Sequence, residues 1–271
     1  MNKNLNKNGY WHNAEFDGIN FGIDFGYIIQ SPPSYEFPET EQTLTQIPGG
    51  NCNHIASTGG YLDVTRTYYL YKNLANNTIE EANKESNILI SKLKTKIGYK
   101  DLQDTYEPDY YRKAMLSASG SVTNLYNQGL SIQLDFQCKP QHYLISGTNE
   151  KNLDLTNKMG TITNEYEYSS KPLFIITKDS NNSDTQITIT NSVYSSKYII
   201  SIDWTKNTNA SCIYIDSEDC ICYYKDDSGI IYSANNMVEY LEEFPELKPG
   251  NNTITVSDNA TIKYIPRWWT L

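Results

Sequence analysis

The 271-residue chain has no cluster of lysine and arginine, no apolar run of membrane-spanning length and only three histidines. Each lack closes off a class of function. Tight nucleic-acid binding needs a basic footprint, and here 22 Lys and Arg face 32 Asp and Glu, for a formal charge of -10. A membrane span needs roughly 18 consecutive apolar residues, and no stretch approaches that length. Met1 to Asn8 is rich in Asn and Lys with no apolar segment behind it, so no secretory signal is expected, and the chain is expected to fold in a cytoplasm. His12, His54 and His142 are scattered, with no nucleophile elbow beside them. The five cysteines are an odd number in a chain too long to need disulfide staples. Cys220-Ile221-Cys222, read as a strand, puts two thiols on one face. With no second pair and no neighbouring His, they read as small inward hydrophobes. No metal and no cofactor is expected.

What is present is tyrosine, 23 against 7 Phe, a residue suited to half-buried strands, interfaces and sugar-stacking surfaces. At about 150 residues per domain, the length suggests one large domain or two ordinary ones. The chain closes on Pro266-Arg267-Trp268-Trp269-Thr270-Leu271, which holds two of its 4 Trp. An indole stabilises a fold only when it is covered, and adjacent strand residues point to opposite faces. The tail is therefore expected to be docked, with Pro266, Arg267, Trp268 and Trp269 as its docking residues.

Short strands and turns run from Tyr10 to Lys72, interrupted at Pro38 and Pro48, which cannot donate to a ladder. One amphipathic helix is predicted over 78–97. Thr78 and Glu81 make a capping box, and Ile79, Ala82, Ser86, Leu89, Ile90, Leu93 and Ile97 form an apolar stripe with Gly98 as the left-handed stop. Lys113 to Val122 and Leu130 to Cys138 then read as an antiparallel pair, and Lys139-Pro140-Gln141 as a domain boundary. Beyond it, Leu173–Ile176, Gln186–Thr190, Tyr198–Trp204, Ser211–Asp216 and Ile221–Lys225 recur at the spacing of an antiparallel sandwich. A loop is expected over Phe244–Asn252. The predicted class is mainly β, with domains 1–140 and 141–271. Asp216-x-Glu218-Asp219 holds paired acids, but paired glycosidase carboxylates need a cleft about 5–9 Å across, and a solvated turn between strands is the simpler reading. No enzyme is expected.

Five segments occur in an order that resembles the distal tail proteins (Dit) of long-tailed phages and prophages of Gram-positive bacteria. They are Tyr35-Glu36-Phe37-Pro38-Glu39-Thr40-Glu41, Ile47-Pro48-Gly49, Gly98-Tyr99-Lys100-Asp101-Leu102 through Tyr110-Tyr111-Arg112, Phe244-Pro245-x-Leu247-x-Pro249-Gly250-x-Asn252, and Pro266-Arg267-Trp268-Trp269. The family often has a basic residue where this chain has Gly50. The resemblance implies a homo-hexameric ring built by an amino-terminal β-sandwich with one helix and a long hairpin. It implies a galectin-like second sandwich as a platform for receptor-binding parts. Its expected partners are the tail tube protein and a tail-associated lysin or fibre protein. The place of use would be the virion tail tip, after assembly in the host cytoplasm. The subunit interface is expected at Tyr35, Glu36, Pro38 and Glu39 and at Tyr106, Tyr110, Tyr111 and Arg112. The alternative is a carbohydrate-binding sandwich with Tyr166, Tyr168, Tyr223, Tyr224 or Tyr232 as its platform.

Overall fold

Along Gly129–Cys138, the residues Leu130, Ile132, Leu134, Phe136 and Cys138 are all buried, and this period of two sets the first half of the chain into strands. The computed structural model describes residues 12–34, 36–73, 78–125, 129–179, 183–207, 209–226, 228–240 and 243–271. The chain divides into two units, Met1–His142 with Leu271, and Tyr143–Thr270. Both are mainly β.

The first unit contains β1 (Ala14–Phe16), β2 (Ile19–Asn20), α1 (Phe21–Phe25), β3 (Ile28–Ile29), β4 (Thr40–Gln46), β5 (Asn53–Tyr61), β6 (Val64–Asn73), α2 (Ile79–Lys94), β7 (Lys100–Asp104), β8 (Tyr110–Leu125) and β9 (Gly129–Cys138). The main sheet runs β2-β1-β7-β8-β9-β6-β3, with antiparallel neighbours. In a flat sheet β1 and β9 would lie about 14 Å apart, yet the rings of Phe16 and Phe136 meet at 5.0 Å. The sheet therefore curls, and its inward residues share one core with Phe21, Tyr27 and the α2 residues Ala82, Leu89 and Leu93. An irregularity in β8 between Leu116 and Gly120 shifts the register against β9, the usual device for bending a strand. β4 and β5 form a separate two-stranded hairpin turning at Pro48-Gly49.

Helix α2 begins with the capping box: Thr78 Oγ1 accepts from the Glu81 N–H, and Glu81 accepts from the Thr78 N–H. It stops at Lys94, short of the predicted 97. The Thr95 hydroxyl takes the Lys92 carbonyl at 2.7 Å and the Lys96 N–H tightens onto Leu93 O, so the last turn closes on itself. Ile97 consequently lies outside the stripe and is 86% exposed, while Gly98, with φ 75°, turns the chain toward β7 rather than ending the helix. The five-residue α1, capped by Asn20 Oδ1 on the Ile23 N–H, is too short to leave a period in the sequence.

After β10 (His142–Leu144), which begins on the last residue of the first stretch, the second unit contains β11 (Lys151–Asn152), β12 (Met159–Asn164), β13 (Leu173–Lys178), β14 (Asp184–Asn191), β15 (Ser196–Asp203), β16 (Cys212–Asp216), β17 (Ile221–Lys225), β18 (Ile231–Ser233), β19 (Val238–Tyr240), β20 (Gly250–Val256), β21 (Ala260–Ile265) and β22 (Trp269–Thr270). One sheet runs β11-β21-β13-β16-β17-β18 and the other β12-β20-β14-β15-β19. Alternating residues are buried in both, Phe174, Ile176, Ile213 and Ile262 on the first, where Ile175 is buried as well, and Ile162, Ile187, Ile200 and Ile254 on the second. Two differences from the sequence reading stand out. Cys220 sits in the Ser217–Cys220 turn at φ 54° and is exposed, so only Cys222 points inward. Gly250–Asn252 is strand rather than loop, because its backbone pairs with Ile162–Asn164.

Thr78→Ala removes the hydroxyl half of the capping box and leaves the Glu81 N–H without it. The expected loss of unfolding free energy is about 1 kcal/mol, read by urea denaturation with an unchanged slope.

Candidate assembly interface

Tyr35 lies outside the described residues. Glu36 and Glu39 are exposed and Pro38 is half-buried on the approach to β4. Every residue of β4 is exposed. Leu44 pairs across the hairpin with Ile55, and the two side chains are 61% and 59% exposed. Phe37, at 87%, and Ile47, at 43%, are exposed in the same part of the chain. A two-stranded hairpin is marginally stable in water, and an apolar cross-strand pair gives it strength only when something covers it. The sequence marked Pro38 and Pro48 as breaks but gave no sign that Leu44 and Ile55 face outward together.

The other candidate segment, Tyr106–Arg112, behaves differently. Tyr106 and Tyr110 are half-buried, whereas Tyr111 and Arg112 are 6% and 5% exposed. Tyr111 and Arg112 are thus interior residues. The segment is held by Asp104, a residue not singled out in the sequence. Its Oδ1 accepts the Tyr106 and Glu107 N–H groups at 2.9 and 3.1 Å. Its Oδ2 accepts Arg66 Nη2 at 2.7 Å and the Tyr68 hydroxyl at 2.6 Å. Arg66 Nε in turn donates to Tyr68 Oη at 2.9 Å, and Nη1 lies 3.0 Å from Glu107. Burial and then Asp104 push the Tyr68 phenol well above its usual range, so it remains a donor. Tyr106 stacks on His12 with ring centroids 4.1 Å apart. Burial, followed by the charges of Arg112 and Arg66, brings the His142 pKa down to about 3. His142 is therefore neutral, and its 3.9 Å approach to Glu107 is too long for a hydrogen bond.

In the second unit the carboxyl-terminal residues are fastened from several sides. Pro266 and Trp268 are buried, and Trp269 is half-buried. The Leu144 N–H donates to Trp268 O and the Arg267 N–H to Gly147 O, each at 2.9 Å. A Cβ on Gly147 would meet the Trp268 nitrogen at 2.6 Å, so only glycine permits this approach. Trp269 donates to Ser169 O at 2.9 Å and stacks on Tyr168 at 4.4 Å. Arg267, at φ 53°, forms a fork on Asp216 with distances of 2.6 and 2.7 Å. Asp216, read from sequence as part of a solvated turn, is only 5% exposed, because this fork and the Glu218 and Asp219 N–H groups replace its water. Burial pushes its pKa up, but the Arg267 hydrogen bonds and charge outweigh that and hold it below the usual value.

The tyrosines proposed as a sugar platform each pack against another ring, although Tyr232 is still 42% exposed. Tyr223 stacks on Tyr214 at 4.8 Å and 3° between planes, Tyr224 on Tyr232 at 5.3 Å, and Tyr166 lies 6.1 Å from the Trp268 ring. The Lys225 ammonium sits 4.8 Å from the Tyr214 ring centre. A depression of about 850 Å³ between the Asn157-Lys158 turn and Asp258–Thr261 is lined by Lys, Asp and Asn, with no aromatic ring among the described residues. Among the described residues no group of three or more His, Cys, Asp or Glu side chains could hold a metal ion.

No protein-family model and no curated protein matches the chain. Solved structures do. The Dit protein of phage SPP1, described as a paradigm of the hub adsorption apparatus in phages infecting Gram-positive bacteria, superposes with a TM-score of 0.68 over 93% of this chain and 97% of its own, at 12% identity. A chain of the phage P2 baseplate in its activated conformation with Ca matches at TM-score 0.51 and 11% identity, over 94% and 97% of the two chains. Its counterpart with Sr matches at 0.52, with the same identity and coverage. The chain therefore has a phage Dit and baseplate-like fold over nearly its whole length.

Two outcomes follow from the ionic supports. Arg267→Ala strands Asp216 as a buried charge and should lower the unfolding free energy of the second unit by about 3–5 kcal/mol. The depressed Asp216 pKa contributes stability at pH values above the ordinary unfolded carboxylate range, and that stability is lost as pH falls through the lower folded value. In Arg267→Ala this acid-labile part should vanish from the pH profile. His142, with its folded pKa near 3, favours folding above its unfolded pKa of about 6.5, and stability falls as pH drops below that. Between pH 6.5 and 5 the slope from this residue approaches about 1.4 kcal/mol per pH unit, and His142→Gln should flatten it in pH-dependent denaturation.

Proposed function

We propose that this chain is a structural hub of a phage or phage-like tail tip. Six copies form a ring that joins the tail tube to a tail-fibre or lysin protein, and a galectin-like second unit offers a platform for receptor-binding parts. The first unit supplies the subunit contacts. The observation that carries this reading is the exposed β4–β5 hairpin, whose Leu44–Ile55 pair is built for a cover that the described residues do not provide. The fold shared with the SPP1 hub protein supports the reading. Glu36, Pro38 and Glu39 stand at the base of this hairpin and belong to the proposed contact, together with Tyr106 and Tyr110. Tyr111 and Arg112 support it from the interior. Pro266, Arg267, Trp268 and Trp269 serve stability, by docking the carboxyl end. The ring assembles in the host cytoplasm and is used at the virion tail tip.

The carbohydrate-binding reading is weaker because each candidate tyrosine already packs against another aromatic ring. Native mass measurement separates the two. The hub should appear at about six times 31.0 kDa, as a closed ring under electron microscopy. A chain that stays monomeric at every concentration, alone and with its neighbouring tail protein, would sink the hub reading, and saturable glycan binding by that monomer would favour the sugar module.

A further inference from the structure

A sheet edge with open backbone donors and acceptors is a template for another strand, and proteins guard such edges with charge or proline. Among the described residues, the two sheets of the second unit end in β11, β18, β12 and β19. Lys151 lies in β11, Glu239 lies in β19, and Lys158 and Glu165 bracket β12. β18 has no such guard. From Ser228 to Val238 the chain holds no charged residue and no proline. Its open groups can be assigned from the ladder with β17. The Ala234 N–H donates to Cys222 O and the Asp226 N–H to Ile230 O, and Tyr232 stands opposite Tyr224. Every second residue of this run therefore bonds to β17, and Ile231 and Ser233 fall between. Their N–H and C=O groups point away from β17 toward solvent, about 7 Å apart along the strand. The side chains are open on both faces. Ile231 is 62% exposed on one, and Ile230 and Tyr232 are 55% and 42% exposed on the other.

We infer that β18 is a docking edge, where an extended, uncharged segment of a receptor-binding part adds one more strand to the sheet. The backbone chemistry selects the conformation of the occupant. Two donors and two acceptors in alternation at this spacing match an extended chain, whereas a helix has spent its backbone groups on itself. The side chains select its composition. Ile231 on one face and Ile230 and Tyr232 on the other are covered best by β-branched and aromatic residues on both sides of the added strand. A second copy of β18 does not fit the ring. Two identical edges pair about a twofold axis, and the head-to-tail contacts of a single ring contain none. The inference rests on the hub reading, and names the edge and the mode by which the second unit serves as a platform.

The test is residue-resolved amide exchange on rings of this chain alone and on complete tail particles. The Ile231 and Ser233 amides should exchange freely in the rings and slow by about 100-fold or more in the tail. Equal exchange in both overturns the inference. Slowing already present in the rings also overturns it, because the cover would then be a second copy. A pair of variants asks whether backbone or side chain carries the contact. Ile231→Pro removes an outward donor that β17 does not use, and Ile231→Thr keeps that donor. Tails built with the proline variant should hold the receptor-binding part at about a tenth of parental occupancy or less, and tails built with the threonine variant should stay near the parent. Equal occupancy in the two variants overturns the strand-addition mode. The exchange measurement uses the unchanged chain, so it decides the matter whatever proline does to folding. A parent chain that never forms rings overturns the hub reading, whereas rings whose β18 amides stay open in the tail overturn this edge alone.

Discussion

Two buried aspartates, each gripped by a guanidinium and by the turn that follows it, organise the two units. Asp104 ends β7 and Asp216 ends β16. In each, Oδ1 accepts the N–H groups two and three residues ahead, and the carboxylate also meets an arginine from a distant part of the chain. A carboxylate in a poorly solvated site is expensive unless its lone pairs are filled, and here they are filled by backbone that has no other partner at the end of a strand. The device fixes three things at once: where the strand stops, how the next turn runs, and where the remote arginine must lie. In the first unit it sets the Tyr106–Arg112 segment. In the second it ties the carboxyl-terminal residues to the sheet.

The chain has just three arginines, and two of them, Arg66 and Arg267, are committed to such tasks. Arg66 and Arg112 are 2% and 5% exposed, and Arg267 is the fork on Asp216. A guanidinium stays protonated under burial and offers a planar array of donors, whereas a lysine would lose its proton more readily and could not make the fork. Arginine therefore works inside and lysine outside. Exposed pairs such as Lys113–Asp101 and Lys263–Glu150 add little to stability, since water and salt screen them.

What could be read from the sequence was local. The capping box of α2, the alternation along β9 and the turns of the second unit each depend on neighbours within a few residues, so they left a period or a spacing. Asp104 and Arg66 are 38 residues apart, and Asp216 and Arg267 are 51 apart. No spacing rule links such pairs, so Asp216 looked like an acid in a solvated turn and Tyr111 and Arg112 looked like surface. The end of α2 was missed for a related reason. The Thr95 hydroxyl competes for the Lys92 carbonyl, a single contact that can halt a helix while the apolar stripe nominally continues to Ile97. The tyrosine excess admitted strands and sugar platforms equally, because the choice depends on whether ring faces are covered. Cross-strand stacking of Tyr214 on Tyr223 and Tyr224 on Tyr232 favours packing.

The same division of cations bears on a related proposal, that genomic DNA passes through the bore of the hub ring. Phosphates are held by clustered, exposed Lys and Arg, and each contact gains from counterion release. Here arginine is withdrawn into the fold, and several lysines already face carboxylates, as Lys72 does Glu85 and Lys96 does Asp17. The overall balance of -10 per chain remains, and in a ring of six it would be repeated around one axis. A wall of that sign repels a duplex and leaves it free to slide. Placement decides whether the acids act there. We propose that acids of the first unit line that bore, and reversing the sign of residues mapped to it should slow DNA ejection while leaving the ring intact.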